Sequence, residues 1–142
     1  MANNVKELMD TDWRVQASAT LQADTNAAPG LLLIDISGLS GWVAGDKLAL
    51  CKVFWSIGSG VATLMWNGTG GGGATTEDAI VMNGNGSYGY TAGQPALLSN
   101  AVGTNAVTGD LMIVNAAAVT GTIIVECTKH VGANRYAWGQ NG

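Results

Sequence analysis

From residue 12 onward the chain alternates apolar and polar positions with a period of two. Trp13, Val15, Ala17 and Ala19 stand between Arg14, Gln16 and Ser18, the pattern of a strand with one buried face and one wet face. Pro29-Gly30 is a turn signal, and the apolar run over residues 31–36 behind it reads as a short strand. Residues 47–57 place Ala49, Cys51, Val53, Trp55 and Ile57 on one face and Leu48, Leu50, Lys52 and Phe54 on the other. Two largely apolar faces predict a strand that is central in its sheet or lies at a contact. Ser59-Gly60 then predicts a hairpin joining 47–57 to 60–66. A second hairpin is expected between 110–115 and 121–129, with Leu111, Ile113, Ile123, Val125 and Cys127 pointing inward. Shorter strands are expected at 79–82, 87–90 and 95–98.

Helical spacing appears only in Val5, Leu8 and Met9. Residues 1–11 therefore read as an N-terminal arm, 12–130 as a single β domain and 131–142 as a C-terminal tail without strand pattern. Eight or nine strands joined by Gly, Asn and Pro turns, with no crossover helices, exclude a parallel βαβ sheet. The pattern predicts an all-β, antiparallel β-sandwich, jelly-roll-like in topology.

Composition sharpens this reading. The chain has 142 residues, 47% of them hydrophobic and only 11% charged, where about 25% charged is usual. One domain is expected at this length, and disorder is excluded by the high apolar content. No apolar run approaches the roughly 18 residues of a membrane-spanning helix. The net charge is −4, and the six basic residues, Lys6, Arg14, Lys47, Lys52, Lys129 and Arg135, are scattered. Direct binding of nucleic acid or of an anionic membrane, which needs clustered Lys and Arg, is therefore not expected. The first ten residues lack the apolar core of a secretory signal, which predicts synthesis in a cytoplasm. Two cysteines, Cys51 and Cys127, fall within strand-like runs and read as buried thiols.

Candidate chemistry is sparse. His130 is the one histidine, and a hydrolytic site would have to build on it with Asp110 or Glu126 as orienting carboxylate. It reads instead as a solvated residue past the last strand. One His and two distant Cys cannot supply a closed zinc site. The carboxylate clusters Asp10-Thr11-Asp12 and Glu77-Asp78 lack the ligand spacing of a calcium loop and read as solvated charge. The glycine run over residues 70–73 lacks the Lys-Ser/Thr of a phosphate loop. No catalytic, metal or cofactor-binding residue is assigned.

Aromatics are more informative. Five Trp and three Tyr accompany a single Phe; Trp13, Trp55 and Trp66 are expected in the core. Arg135, Tyr136 and Trp138 in the tail are residue types that dominate binding hot spots, and with Val5, Leu8 and Met9 of the arm they are the candidate contact residues. Tyr88 and Tyr90, near Asn83 and Asn85, are the place where a sugar ring could stack. A surface this poor in charge is prone to self-association, which points to a protein covered by neighbours in service.

Several segments carry a resemblance. They are ADTNAAPGLLLIDIS at 23–37, KVFW at 52–55, ATLMW at 62–66, GDLMIV at 109–114 and TIIVE at 122–126. Together, across roughly residues 12–129, they resemble small virion proteins of tailed bacteriophages, in particular capsid decoration (cement) proteins. The resemblance implies a non-enzymatic sandwich domain on the capsid exterior of a virion. It would be made in the host bacterial cytoplasm and act as a homo-oligomer, a trimer by preference, bridging subunits of the major capsid protein. A head- or tail-fibre module that recognises host glycan through Tyr88 and Tyr90 is the alternative.

Overall fold

The computed structural model describes residues 4–11, 13–22, 31–41, 47–68, 77–91, 93–98, 107–115 and 119–130. Among them the period-two pattern is realised as ten strands and one short 3-10 turn. The strands are β1 (Asn4–Asp10), β2 (Arg14–Gln22), β3 (Leu31–Ile34), β4 (Lys47–Ile57), β5 (Ala62–Gly68), β6 (Glu77–Met82), β7 (Asn85–Tyr88), β8 (Leu97–Leu98), β9 (Val107–Asn115) and β10 (Thr120–His130). They form two antiparallel sheets. One runs β1-β2-β10-β4-β7, with β8 also on β4; the other runs β3-β9-β5-β6.

Alternation decides what lies between the sheets. Val15, Ala17, Ala19 and Leu21 of β2 and Ile123, Val125 and Cys127 of β10 face Leu64 and Trp66 of β5 and Leu111 and Ile113 of β9 in one buried cluster. The five inward residues expected in β9 and β10 are all fully buried. Each large aliphatic side chain removed from water here contributes about 1.5–3 kcal/mol, which makes this layer the main source of stability.

Two expected hairpins do not form. β4 and β5 lie in different sheets, and so do β9 and β10. The turn after β4 swings the chain across the sandwich: Gly58 N–H donates to Thr120 O at 2.8 Å, and Gly60 has a positive φ. A Ser-Gly turn suits a crossover between sheets as well as a hairpin, and burial of both inner faces selects the crossover.

The two apolar faces of β4 also have a local cause. In the β4–β10 register Lys52 opposes Glu126 but Leu50 opposes Cys127, so Cys51 is an extra residue and the side-chain phase reverses there. Val53 and Ile57 point inward beyond the bulge, while Leu50 and Leu48 point inward before it.

The helical repeat expected in the arm does not form either. Residues 4–10 are strand β1, paired to β2, with a register shift between Glu7 and Met9. The extra residue, Leu8, spaces Val5, Leu8 and Met9 by three and one, which imitates a helical pattern. β1 is fastened at its far end. Asp10 and Lys129 form an ion pair in which the Lys129 side chain is fully buried, and Asp10 also accepts from Ser40 N at 2.7 Å. Lys129 Nζ donates to Ser40 O at 3.0 Å as well. Asp10, read from the sequence as solvated, is thus a structural anchor.

Candidate interaction surfaces

On the β3-β9-β5-β6 sheet, residues that oppose one another across strands share a face. Leu32, Met112 and Met65 form one outward row, with Asp78 of β6 in register opposite Met65, and Val114, Thr63 and Val81 form a second. Their inward neighbours Leu64, Trp66, Leu111 and Ile113 are buried, so these six side chains stand on the outside. Leu32 is 40% exposed and Val81 57%. None of the six is charged, and five are wholly apolar.

The outer face of the other sheet is organised around one carboxylate. Glu126 of β10 lies opposite Gln16 on one side and Lys52 on the other. Gln16 Nε2 donates to it at 2.6 Å, and Arg14 and Lys52 approach it at 3.5 and 3.9 Å. Lys52 Nζ also sits 5.5 Å from the centre of the Tyr90 ring, a cation–π distance. Phe54 and Ile124, directly opposite each other, are the apolar pair on this face.

The aromatic residues separate. Trp66 is in the core, as expected, and Trp55 is half-buried, with its indole lying across Gly86, where any Cβ would collide with the ring. Its Nε1 donates to Asn83 O at 3.1 Å. Trp13 departs from expectation: it is 67% exposed. The bend before β2 fixes its backbone, because Arg14 N–H donates to Thr11 Oγ1 at 3.1 Å and Lys129 N–H donates to Trp13 O at 2.9 Å. Its odd position matches the inward set, but it lies beyond the end of β2, where none of the described strands covers it. The reading that placed it in the core missed this, and only the neighbouring Thr11 turn hints at it.

Tyr88 and Tyr90 have different surroundings. Tyr88 packs against the core and donates its hydroxyl to Pro95 O at 2.6 Å, whereas Tyr90 is 58% exposed. Gly89 between them has φ +88° and passes so close to the Cys51 carbonyl that a Cβ has no room. In β1, Val5 packs against the core, Met9 is half-buried and Leu8 is exposed. Arg135, Tyr136 and Trp138, and the side chain of His130, lie outside the described residues.

A cleft of about 150 Å³ opens between β1, β2 and β3, with an apolar floor that includes Val15, Ala17 and Leu33 and with Glu7 and Asp35 on its walls. Its lining includes no histidine, cysteine or hydroxyl nucleophile. Among the described residues no three His, Cys, Asp or Glu side chains gather as a metal site, and no helix is long and apolar enough to cross a membrane. Both cysteines are free; burial pushes the Cys127 thiol far up, helped by Cys51 and Glu126, so it stays protonated. Comparison with protein-family models, with curated proteins and with solved structures finds no match to the chain.

Proposed function

We propose that the protein is a non-enzymatic structural component of a virion. In this reading it is a capsid decoration (cement) module of a tailed bacteriophage that sits on the head exterior as a homo-oligomer and bridges major capsid protein subunits. It is made in the host bacterial cytoplasm and meets neither nucleic acid nor membrane directly. The observation that carries the reading is the surface: a chain with 11% charged residues leaves Trp13, Leu32, Phe54, Val81 and Ile124 exposed on the outside of a well-packed sandwich. Such a surface is suited to being covered by neighbours.

Strand pairing adds support. β2 pairs with β10, β3 with β9, β4 with β7 and β8, and β5 with β6. Nested pairs of this kind describe one long hairpin folded over two sheets, and we read the sandwich on that basis as a jelly roll, an architecture common in viral capsids.

Purified protein mixed with decoration-free heads should co-sediment and saturate at a fixed ratio per capsid subunit. Replacing Tyr136 and Trp138 by Ala should lower the occupancy while the β-type circular dichroism is unchanged. Protein that stays in the supernatant at every concentration overturns the reading. The glycan-binding alternative is favoured by one observation, the exposed Tyr90 ring held beside Lys52. It requires Tyr90→Ala to weaken attachment to host cells.

A further inference from the structure

We propose that Asn83 is a self-modification site, at which the Gly84 backbone nitrogen displaces the side-chain amide and leaves an aspartyl or isoaspartyl residue in the link between the two sheets. The inference does not depend on the assembly reading. Residues 83–86 read Asn-Gly-Asn-Gly, so two copies of the same labile dipeptide lie side by side. Asparagine reacts in this way where the nitrogen of the next residue can reach the carboxamide, and glycine has no Cβ to obstruct the approach. The fold gives the two copies opposite surroundings.

Asn83 and Gly84 are both exposed, in the bend that carries the chain from β6 of one sheet to β7 of the other. The bend is gripped by its carbonyls: Trp55 Nε1 donates to Asn83 O at 3.1 Å, and Ile57 N–H donates to Gly84 O at 2.6 Å. Neither bond uses the reacting atoms. Among the described residues nothing holds the Asn83 carboxamide or the Gly84 N–H. Gly84 sits at φ +55° with no atom within 4 Å of the place a Cβ would take, so the space around its nitrogen is open.

Asn85 has the same neighbour and none of this freedom. Its Oδ1 accepts from Ser56 Oγ at 2.8 Å, and Asn85 and Gly86 pair with Ser56 and Trp55 in the ladder. The bond from Ile57 to Gly84 sets the phase of that ladder, so Gly86, two residues on, is a hydrogen-bonded partner of Trp55. The indole of Trp55 also lies against Gly86. Reaction at Asn85 therefore requires β7 to open first.

The step balances with water alone. The Gly84 nitrogen loses its proton and bonds to Cγ of Asn83, the Cγ–Nδ2 bond breaks, and ammonia leaves, closing a cyclic succinimide. Water then opens the ring. Opening at Cγ gives aspartate; opening at the main-chain carbonyl gives isoaspartate, whose backbone runs through Cγ and is longer by a methylene. Either product makes the net charge of −4 more negative by a single charge. In isoaspartate the new carboxylate is built on the carbonyl that accepts from Trp55, so the change falls on the contact that ties the bend to β4.

The full chain, held native in mildly alkaline buffer, sampled over weeks and digested at acidic pH for mass spectrometry, tests this. Amide and acid differ in mass, fragment ions separate position 83 from position 85, and a methyltransferase specific for isoaspartate marks that product. Asn83 should convert more than about tenfold faster than Asn85, which waits on local opening. Asn83→Gln, an exposed change whose longer side chain closes the ring far less readily, should remove the fast product. In urea, where both dipeptides are free, the two rates should converge. Equal rates in the native protein, a faster Asn85, or no conversion at Asn83 while the unfolded chain converts overturns the inference.

Discussion

Across the middle of one sheet the outward row reads Gln16, Glu126, Lys52. Across the other it reads Leu32, Met112, Met65, with Asp78 in register only on the edge strand. Beneath both rows the inward positions are alike, filled by Val, Leu, Ile and Ala with Trp66, Met82 and Cys127. The fold constrains only the inner faces, because burying them supplies the free energy of folding. The outer faces are free of that demand, so they can diverge, one organised around the Glu126 carboxylate and the other carrying mostly apolar side chains. An apolar row that folding does not require is therefore a better guide to partners than any buried residue.

If charge is structural on the first sheet and the apolar residues outside the second do not hold the fold together, perturbations should grade accordingly. The largest effect belongs to Asp10→Ala, which leaves the buried Lys129 ammonium facing a lost carboxylate. Urea unfolding should show a loss of about 3–5 kcal/mol, a large share of a small domain's stability. A loss below about 1 kcal/mol would mean that Lys129 reaches water once β1 loosens.

Next comes Cys127, beneath the charged face. Its thiol keeps its proton in the fold, whereas in the unfolded chain it ionises near pH 9. Above that pH the unfolded state binds fewer protons, so the contribution present at lower pH falls by about 1.4 kcal/mol per unit. Wild type should show this slope in stability between pH 9 and pH 11, and Cys127→Ala should lack it. The same burial predicts that an alkylating reagent labels Cys51 in the native protein and Cys127 only on unfolding.

Glu126→Gln should cost about 1 kcal/mol or less, since Arg14 and Lys52 are both about half-exposed and their attraction is screened. The loss should shrink further in high salt. Smallest of all, Leu32→Ser should change monomer stability by no more than about 0.5 kcal/mol, because this side chain does not hold its own fold together. A loss of 2 kcal/mol would move Leu32 into the core and break the contrast between the faces.

Period-two alternation made Leu111, Ile113, Ile123, Val125 and Cys127 legible as inward residues, and with them the all-β sandwich. What the sequence hid is pairing and phase. The turn at Ser59-Gly60 has the same residues for a hairpin as for a crossover, so the sheet to which β5 belongs depends on distant β9. Bulges at Leu8 and Cys51 shift the phase within a strand and disguised β1 as helical and β4 as apolar on both faces. Trp13 has the parity of a core residue and the position of a strand end, and parity alone misplaced it. The apolar rows Leu32-Met112-Met65 and Val114-Thr63-Val81 draw on four separated segments and become one surface only when the register is known.

The central strand of the larger sheet, β10, is supplied by residues 120–130, while its two neighbours come from 14–22 and 47–57. Gln16 and Glu126, which share a hydrogen bond across that seam, are 110 positions apart. Until the chain beyond residue 119 has been synthesised, β2 and β4 have nothing between them, and their inner faces stay open to solvent. Folding thus has a late, long-range closing step, which places the domain among slow folders of milliseconds to seconds. During that interval the incomplete sheets present unpaired strand edges, which are open to association with other chains.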